Sequence, residues 1–277
     1  MGMRIQTNVS AINAQRNLVG SQRVMNKSMA QLASGSRINI AADDAAGLAI
    51  SEKLKAQIRS AHQANRNAND AISMVQTAEG GLNEIGNMIV RLRELAIQAG
   101  SDTVSDVERS FINKEVSQLQ AEIERIAKVT TWGNTNLLDG TTPLYEFQVG
   151  IFNHSENDRI TFNSAENVAT IDTLGLTDLD YSTKSGAQNA LVDLDNAQTI
   201  VNGYRANLGA LQNRLVSTVD NLAVSIENQS AANSRIRDTD VALASSEMIR
   251  NNILLQAGTS TLAQANSNSQ LALKLIG

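Results

Sequence analysis

A chain of 277 residues with 23 basic and 28 acidic side chains carries a formal charge of -5, contains no cysteine and has two histidines. This excludes thiolate metal centres, cysteine nucleophiles and disulfide scaffolds, and the chain as a whole lacks the basic footprint that nucleic acid or an anionic membrane would need. One proline, 3% aromatic residues and abundant Ala, Asn, Gln and Ser describe long uninterrupted helices with close contacts.

In chain order, the first segment is amphipathic through Ile5, Val9, Ile12, Leu18, Val19, Met25, Met29 and Leu32. It has neither the basic flank nor the apolar core and cleavage site of a secretory signal, and no stretch approaches a membrane span. The run AADDAAGLAI at 41–50 then opens a helix, with Asp43 or Asp44 placed to cap its free N–H groups and to suit its positive dipole end. A long seam follows, from Leu54 through Ile58, Ala61, Ala68, Ile72, Val75, Leu82, Ile85, Ile89 and Leu92 to Leu95, at spacings of three and four. The AEGG run at 78–81 lies within it and is read as a flexible point. Gly100 closes the seam, and Ser101 or Asp102 is available to cap a second, antiparallel helix with Ile112, Val116, Leu119, Ile123 and Ile126 on its face.

Between about 131 and 180 Thr, Asn, Asp and Gly crowd in. The alternation of Tyr145, Phe147, Val149 and Ile151, a polar NHSEND turn, then Ile160 and Phe162 predict a β-hairpin near 144–163, followed by loop to about residue 185. From near Ala187 the cleanest helical seam runs through Leu194, Val201, Leu208, Leu215 and Leu222 to Ile226 and completes a bundle with the first half. The last segment is again amphipathic, through Val241, Met248, Ile249, Ile253, Leu255, Leu262, Leu271, Leu273 and Leu275. The expected fold is mainly α: a long antiparallel helical bundle or coiled coil, a small β-hairpin subdomain, and paired N- and C-terminal helices.

Neither terminal segment can bury its apolar face alone. Paired, they form a two-helix arm about 45 Å long, at about 1.5 Å per residue over some 30 residues, which keeps apolar surface exposed until other copies cover it. Self-assembly is the function this pattern suggests.

Four stretches then resemble bacterial flagellin: INAQRNL near the start, SGSRINIAADDAAGLAISEKLKAQIRS, RLRELAIQA, and the final ANSNSQLALKLIG. The resemblance spans nearly the whole chain and implies a short form without the variable outer insert. It divides the chain into an inner coiled-coil domain from 1–42 and 239–277, and a helical core domain from 43–180 and 181–238. The inner-domain assembly residues are then Ile5, Val9, Ile12, Leu18, Met25, Leu32, Ile253, Leu255, Leu262, Leu271, Leu273 and Leu275. Asp43, Asp44, Ala45, Ala46 and Gly47 lie at the domain junction, where small residues let backbones approach closely.

The family's innate-receptor surface, recognised by Toll-like receptor 5, falls on Arg91, Leu95 and Glu115, although Val90 departs from the usual glutamine before the arginine. Trp132, Gly133 and Asn134 stand where many flagellins have Phe-Asn-Gly, and Trp132 is read as an apolar anchor after the second helix. The resemblance further implies a homopolymer, an export chaperone on the C-terminal helix, hook–filament junction and cap proteins as partners, and export through the flagellar type III channel to an extracellular filament used for swimming. The alternatives are a hook–filament junction protein, whose sequences commonly place proline after the paired acids where Ala45 and Ala46 stand, and an adhesive or immune-recognised binding module.

No chemistry competes with this reading. His62 and His154 are far apart and outside any His-Glu-x-x-His motif, no glycine-rich phosphate loop follows a strand, and no nucleophile elbow is present. Neither an enzyme nor a cofactor is expected. The Asn153-His154-Ser155 triplet matches a glycosylation acceptor in form only.

Overall fold

The computed structural model describes residues 7–141 and 144–274, with side chains to residue 267. Five helices account for most of the chain: α1 (Val9–Ser34), α2 (Ala45–Ala99), α3 (Asp106–Val129), α4 (Lys184–Arg237) and α5 (Val241–Lys274). Between α3 and α4 lie β1 (Thr131–Trp132), β2 (Thr135–Asn136), β3 (Leu144–Gln148), β4 (Arg159–Asn163) and a 3-10 turn at Ser164–Glu166. The residues divide into two compact units: unit 1 is Met1–Ala56 with Asn228–Gly277, and unit 2 is Gln57–Glu227. The mainly α architecture with paired terminal helices and a small hairpin is the one expected from periodicity.

In unit 2, α2 is flanked by two antiparallel helices. Arg91 meets Glu115 of α3, while Arg93 meets Asp195 and Asn65 reaches the Val219 carbonyl of α4. Leu82, Ile85, Ile89 and Leu92 of α2, Val116 and Ile123 of α3, and Leu194, Val201 and Leu208 of α4 form one continuous core. On α4 the covered positions 187, 190, 194, 197, 201, 204, 208, 211 and 215 alternate spacings of three and four, the repeat of a coiled-coil seam.

The cap of α3 differs from expectation. Ser105, and neither Ser101 nor Asp102, occupies the N-cap, and its hydroxyl and backbone exchange hydrogen bonds with Glu108 in a capping box. The reason is a broad connection: Asp102 instead holds Lys184 at 2.7 Å, and Ser101 bonds Thr103.

Arg109, almost wholly buried, ties this corner together. Its guanidinium donates to the Ala99 and Ser101 carbonyls at 2.8 and 2.9 Å and to Asp106 at 2.6 Å, so the Ala99 carbonyl that ends α2 and the Ser101 carbonyl just after it share a charged donor. Arg109→Ala is expected to destabilise unit 2 by about 2–4 kcal/mol, because buried acceptors lose charge-assisted bonds. Chemical denaturation of the unassembled chain checks this, and an unchanged midpoint contradicts it.

The hairpin of β3 and β4 pairs Tyr145 with Phe162, whose rings stack at 5.8 Å, and Phe147 with Ile160. Val149 and Gly150 both donate to the Asp158 carbonyl at 2.9 Å, a bulge that closes the polar turn, and the Asp158 carboxylate leaves no room for a Cβ on residue 150. Two local expectations fail. Trp132 sits 40% exposed in the small β1–β2 hairpin rather than anchoring the end of α3, because the two-residue Gly133-Asn134 turn reverses the chain at once. Gly81 is a close-approach position rather than a flexible point: a Cβ there would lie 2.7 Å from Thr130 Oγ1 and 3.0 Å from Leu138 Cδ1.

Candidate assembly surfaces

In unit 1, α1 and α5 run antiparallel. Asn8 donates its side-chain amide to the Ala265 carbonyl at 2.9 Å at one end, and Thr239 donates its backbone N–H to the Gly35 carbonyl at 3.0 Å at the other. Among the covered positions, one series on α1 is 11, 14, 18, 21, 25, 28 and 32, and one on α5 is 244, 248, 251, 255, 258, 262 and 265. Both series alternate three and four, so each helix presents a heptad stripe to the other. Half of the stripe is Ala, Ser or Gly, and the helices approach closely. A Cβ on Gly258 would meet Leu18 Cδ2 at 2.7 Å, so Leu18 is the knob and Gly258 the floor of its hole.

This geometry sorts the expected assembly residues into two sets. Leu18, Met25, Leu32, Leu255 and Leu262 lie half-buried in the intrachain seam. Val9, Ile12 and Ile253 point away from it, 54%, 56% and 59% exposed, joined by Val19 and Ile249. Ile5 and Leu275 lie outside the described residues, and Leu271 and Leu273 outside those with described side chains. Sequence reading missed Ala11, Ala14, Ser21, Ser28, Asn251 and Gly258 as seam members because it followed large apolar side chains; a heptad search admitting Ala, Ser and Gly would have found them.

At the base of this arm two chain segments cross. Ser36 bridges Asp238, Arg37 N–H donates to the Arg237 carbonyl at 2.6 Å, and the Arg37 guanidinium donates to the Ile236 carbonyl at 2.7 Å. Arg237 in turn pairs with Glu52. The two neighbouring acids have separate tasks. Asp44 Oδ1 accepts from Gly47 N at 2.8 Å and caps α2, whereas Asp43 faces backward, accepting from Asn39 N and Ile40 N at 3.2 Å and from Lys27 Nζ at 2.8 Å. Gly47 is buried because the capping carboxylate of Asp44 fills the space of a Cβ, so its smallness serves the chain's own turn. Ala45 and Ala46 are exposed.

The hydrogen bond from Lys27, with those from Ile40 and Asn39, holds the Asp43 carboxyl below its ordinary range. A depressed folded-state value stabilises above the unfolded pKa of about 3.9, and the contribution is lost as pH falls through the folded value. Asp43→Asn is therefore expected to lower the unfolding midpoint at pH 7, with the difference from the unsubstituted chain closing below about pH 4. Midpoints measured across that range decide it, and a difference that grows on acidification overturns the assignment.

On unit 2, Arg91 of α2 donates from Nε to Glu115 at 3.0 Å and from Nη1 to Glu94 at 2.9 Å, with all three side chains at the surface. Leu95 is 2% exposed and belongs to the core. The three residues of the expected receptor surface therefore do not share one exposure class. Among the described residues no group of three His, Cys, Asp or Glu could hold a metal, and no helix is long and apolar enough to cross a membrane.

Comparisons with known proteins extend over nearly the whole chain. Residues 5–142 match the family model described as the bacterial flagellin N-terminal helical region, and residues 191–276 that of the bacterial flagellin C-terminal helical region. The chain belongs to the bacterial flagellin family. It is a structural subunit of the bacterial flagellar filament. A flagellin of Halalkalibacterium halodurans is 43% identical over 274 residues, covering 99% of this chain and 100% of the relative. The flagellar filament core protein flaB2 of Brachyspira hyodysenteriae is 41% identical and the flagellin of Bacillus subtilis 39%, each covered at 99% of this chain and 100% of the relative.

Among solved structures, the Bacillus cereus flagellin has a TM-score of 0.51 at 28% identity, covering 61% of this chain and 94% of that one. A flagellar hook-associated protein of Vibrio parahaemolyticus, at 14% identity and TM-score 0.59, covers 71% of this chain and 100% of that one, and shares the fold.

Proposed function

We propose that this flagellin polymerises by covering the outer faces of α1 and α5 with the arms of neighbouring copies, while the intrachain seam stays closed. The carrying observation is that Leu18 and its heptad partners already fill the α1–α5 seam, yet Val9, Ile12, Val19, Ile249 and Ile253 remain more than half exposed. Burying five such side chains, at about 1.5–3 kcal/mol each, offsets the cost of fixing a subunit in a lattice. Within unit 2, Phe111 and Val107 on α3, 60% and 64% exposed, are further apolar side chains that a neighbouring copy could cover. Ala45 and Ala46, exposed beside the crossing segments, let a neighbouring backbone come close.

The filament is extracellular, reached through the flagellar type III channel, and drives swimming without bond-making chemistry. An export chaperone on α5 before assembly, junction proteins below and a cap above complete the set of partners. Where Toll-like receptor 5 engages the chain, Arg91 and Glu115 supply the accessible polar contacts and Leu95 holds the helix beneath them. Purified chain seeded with filament fragments should extend them into long filaments seen by electron microscopy. Failure to elongate under any ionic condition, with the helices intact, would refute polymerisation.

A further inference from the structure

Strand β4 passes directly into the 3-10 turn at Ser164–Glu166, and side-chain amides hold that corner. Asn163 accepts from the Ala165 N–H at 3.1 Å through Oδ1 and donates from Nδ2 to the Glu166 carboxylate at 2.9 Å. Asn167 donates its backbone N–H to the Ser164 carbonyl at 3.1 Å and its Nδ2 to the Asn163 carbonyl at 2.9 Å. These bonds fix the turn and use the donor side of the Asn167 amide. The acceptor side is left over: Asn167 is 4% exposed, and its Oδ1 has no hydrogen-bond partner among the described residues. A buried acceptor without a donor is unfavourable, so this atom calls for one.

Asn167 lines a cleft between this corner and α4, with about 190 Å³ of space, against the roughly 10–15 Å³ that one water requires. Phe162 and the α4 residue Leu208, both nearly wholly buried, give it an apolar wall, and the exposed Thr161, Glu166 and Asn207 form its rim. No Lys, Arg or His lines it, so the Glu166 charge is unanswered there. An anion would meet that carboxylate and a bare amide oxygen. A divalent metal such as calcium takes about six to eight oxygen ligands, which one carboxylate and an apolar wall do not supply. An alkylammonium uses every part: its methylenes lie on Phe162 and Leu208 while its N–H donors reach Asn167 Oδ1 and Glu166. The field around the cleft has the matching sign. Unit 2 contains twelve Lys or Arg against twenty-two Asp or Glu, a net -10, whereas unit 1 contains eleven against six, a net +5.

We propose that the cleft between the 3-10 turn and α4 is a binding site for a primary alkylammonium group, with Asn167 Oδ1 and the Glu166 carboxylate as its acceptors. Two sources carry that group: a small aliphatic amine from solution, or the lysine side chain of another copy of the chain.

The test follows the Asn167 and Asn207 side-chain amides by NMR in the full-length, unassembled chain during titration with n-butylamine, the lysine side chain cut free at Cα, at constant ionic strength. Both signals should shift saturably, with a Kd on the order of 1–10 mM for so small a ligand. The uncharged n-butanol should bind at least roughly ten-fold more weakly. Glu166→Gln keeps an acceptor for Asn163 and should weaken the amine about three-fold without changing n-butanol. Asn167→Ala should abolish the shift of Asn207; circular dichroism checks its helices, and Glu166→Gln, an exposed substitution, carries the test if that variant unfolds. Glu84→Gln, an exposed acid on α2 outside the cleft, is expected to leave binding unchanged. The absence of a saturable shift, equal binding of n-butanol, or equal weakening by Glu84→Gln would each overturn the proposal. Where the amine binds, carbodiimide treatment of filaments grown from light and heavy-isotope chains separates the sources. An amide link from Glu166 to a lysine of a different copy identifies the lysine side chain, and without it the occupant is a free amine. The titration uses unassembled chain, so its outcome is independent of polymerisation.

Discussion

Removing residues 240–277 is expected to abolish polymerisation while leaving unit 2 helical. The deletion takes away α5 entirely, together with the Asp240 carboxylate that accepts from Ala242 and Leu243 N–H at its start. It spares the core of α2, α3 and α4, none of whose residues lies beyond position 215. Leu18, Met25 and Leu32 of α1 then lose the opposite half of their seam, and with it the tertiary packing that supplies most of a helix's stability in a protein. The truncated chain should stay in the supernatant on ultracentrifugation at concentrations where the full chain pellets as filament, and should lose only the helical signal of the arm. Pelleted filaments of the truncated chain would mean that the contacts holding the polymer together lie in unit 2.

The second large effect separates the two faces of the arm. Ile12→Asp combined with Ile253→Asp places carboxylates on the outer faces of α1 and α5 without touching the seam. If neighbouring copies bury both positions, the loss is about 3–6 kcal/mol per subunit, and the critical concentration for assembly should rise by roughly 100-fold to 20,000-fold. The monomer should keep its helicity and its hydrogen-exchange protection in α1 and α5. Leu255→Asp, in the seam, should instead reduce that protection in the monomer itself. Should the outer pair leave the critical concentration unchanged, the outer faces are not buried in the polymer. Should it melt the monomer's arm, the division into seam and outer face is wrong.

Several of these features are legible in single stretches of chain. The spacing of Leu82, Ile85, Ile89 and Leu92 marks a buried helical stripe, because an apolar residue every third or fourth position makes one face of a helix. The hairpin near 144–163 is visible because alternation switches to period two around a polar turn. Capping is less legible: Ser105 and Glu108 form a recognisable pair three residues apart, but Ser101 and Asp102 are equally suitable chemically. Only the placement of Lys184, from another part of the chain, shows why Asp102 is otherwise engaged.

Long helices, two amphipathic ends, the absence of thiol chemistry and the motifs of a flagellin can all be read from local stretches of chain, because helical periodicity, capping chemistry and composition are local properties. Which apolar side chains those ends keep for each other depends on how the two helices pack. A helix with apolar residues on more than one face can close on either, and the partner's heptad selects Leu18 against Gly258 while leaving Ile12 and Ile253 outside. The same holds for charge. A sum over the chain is blind to which segments fold together, and the pairing of residues 1–56 with 228–277 turns a mildly acidic sequence into one basic unit and one strongly acidic one.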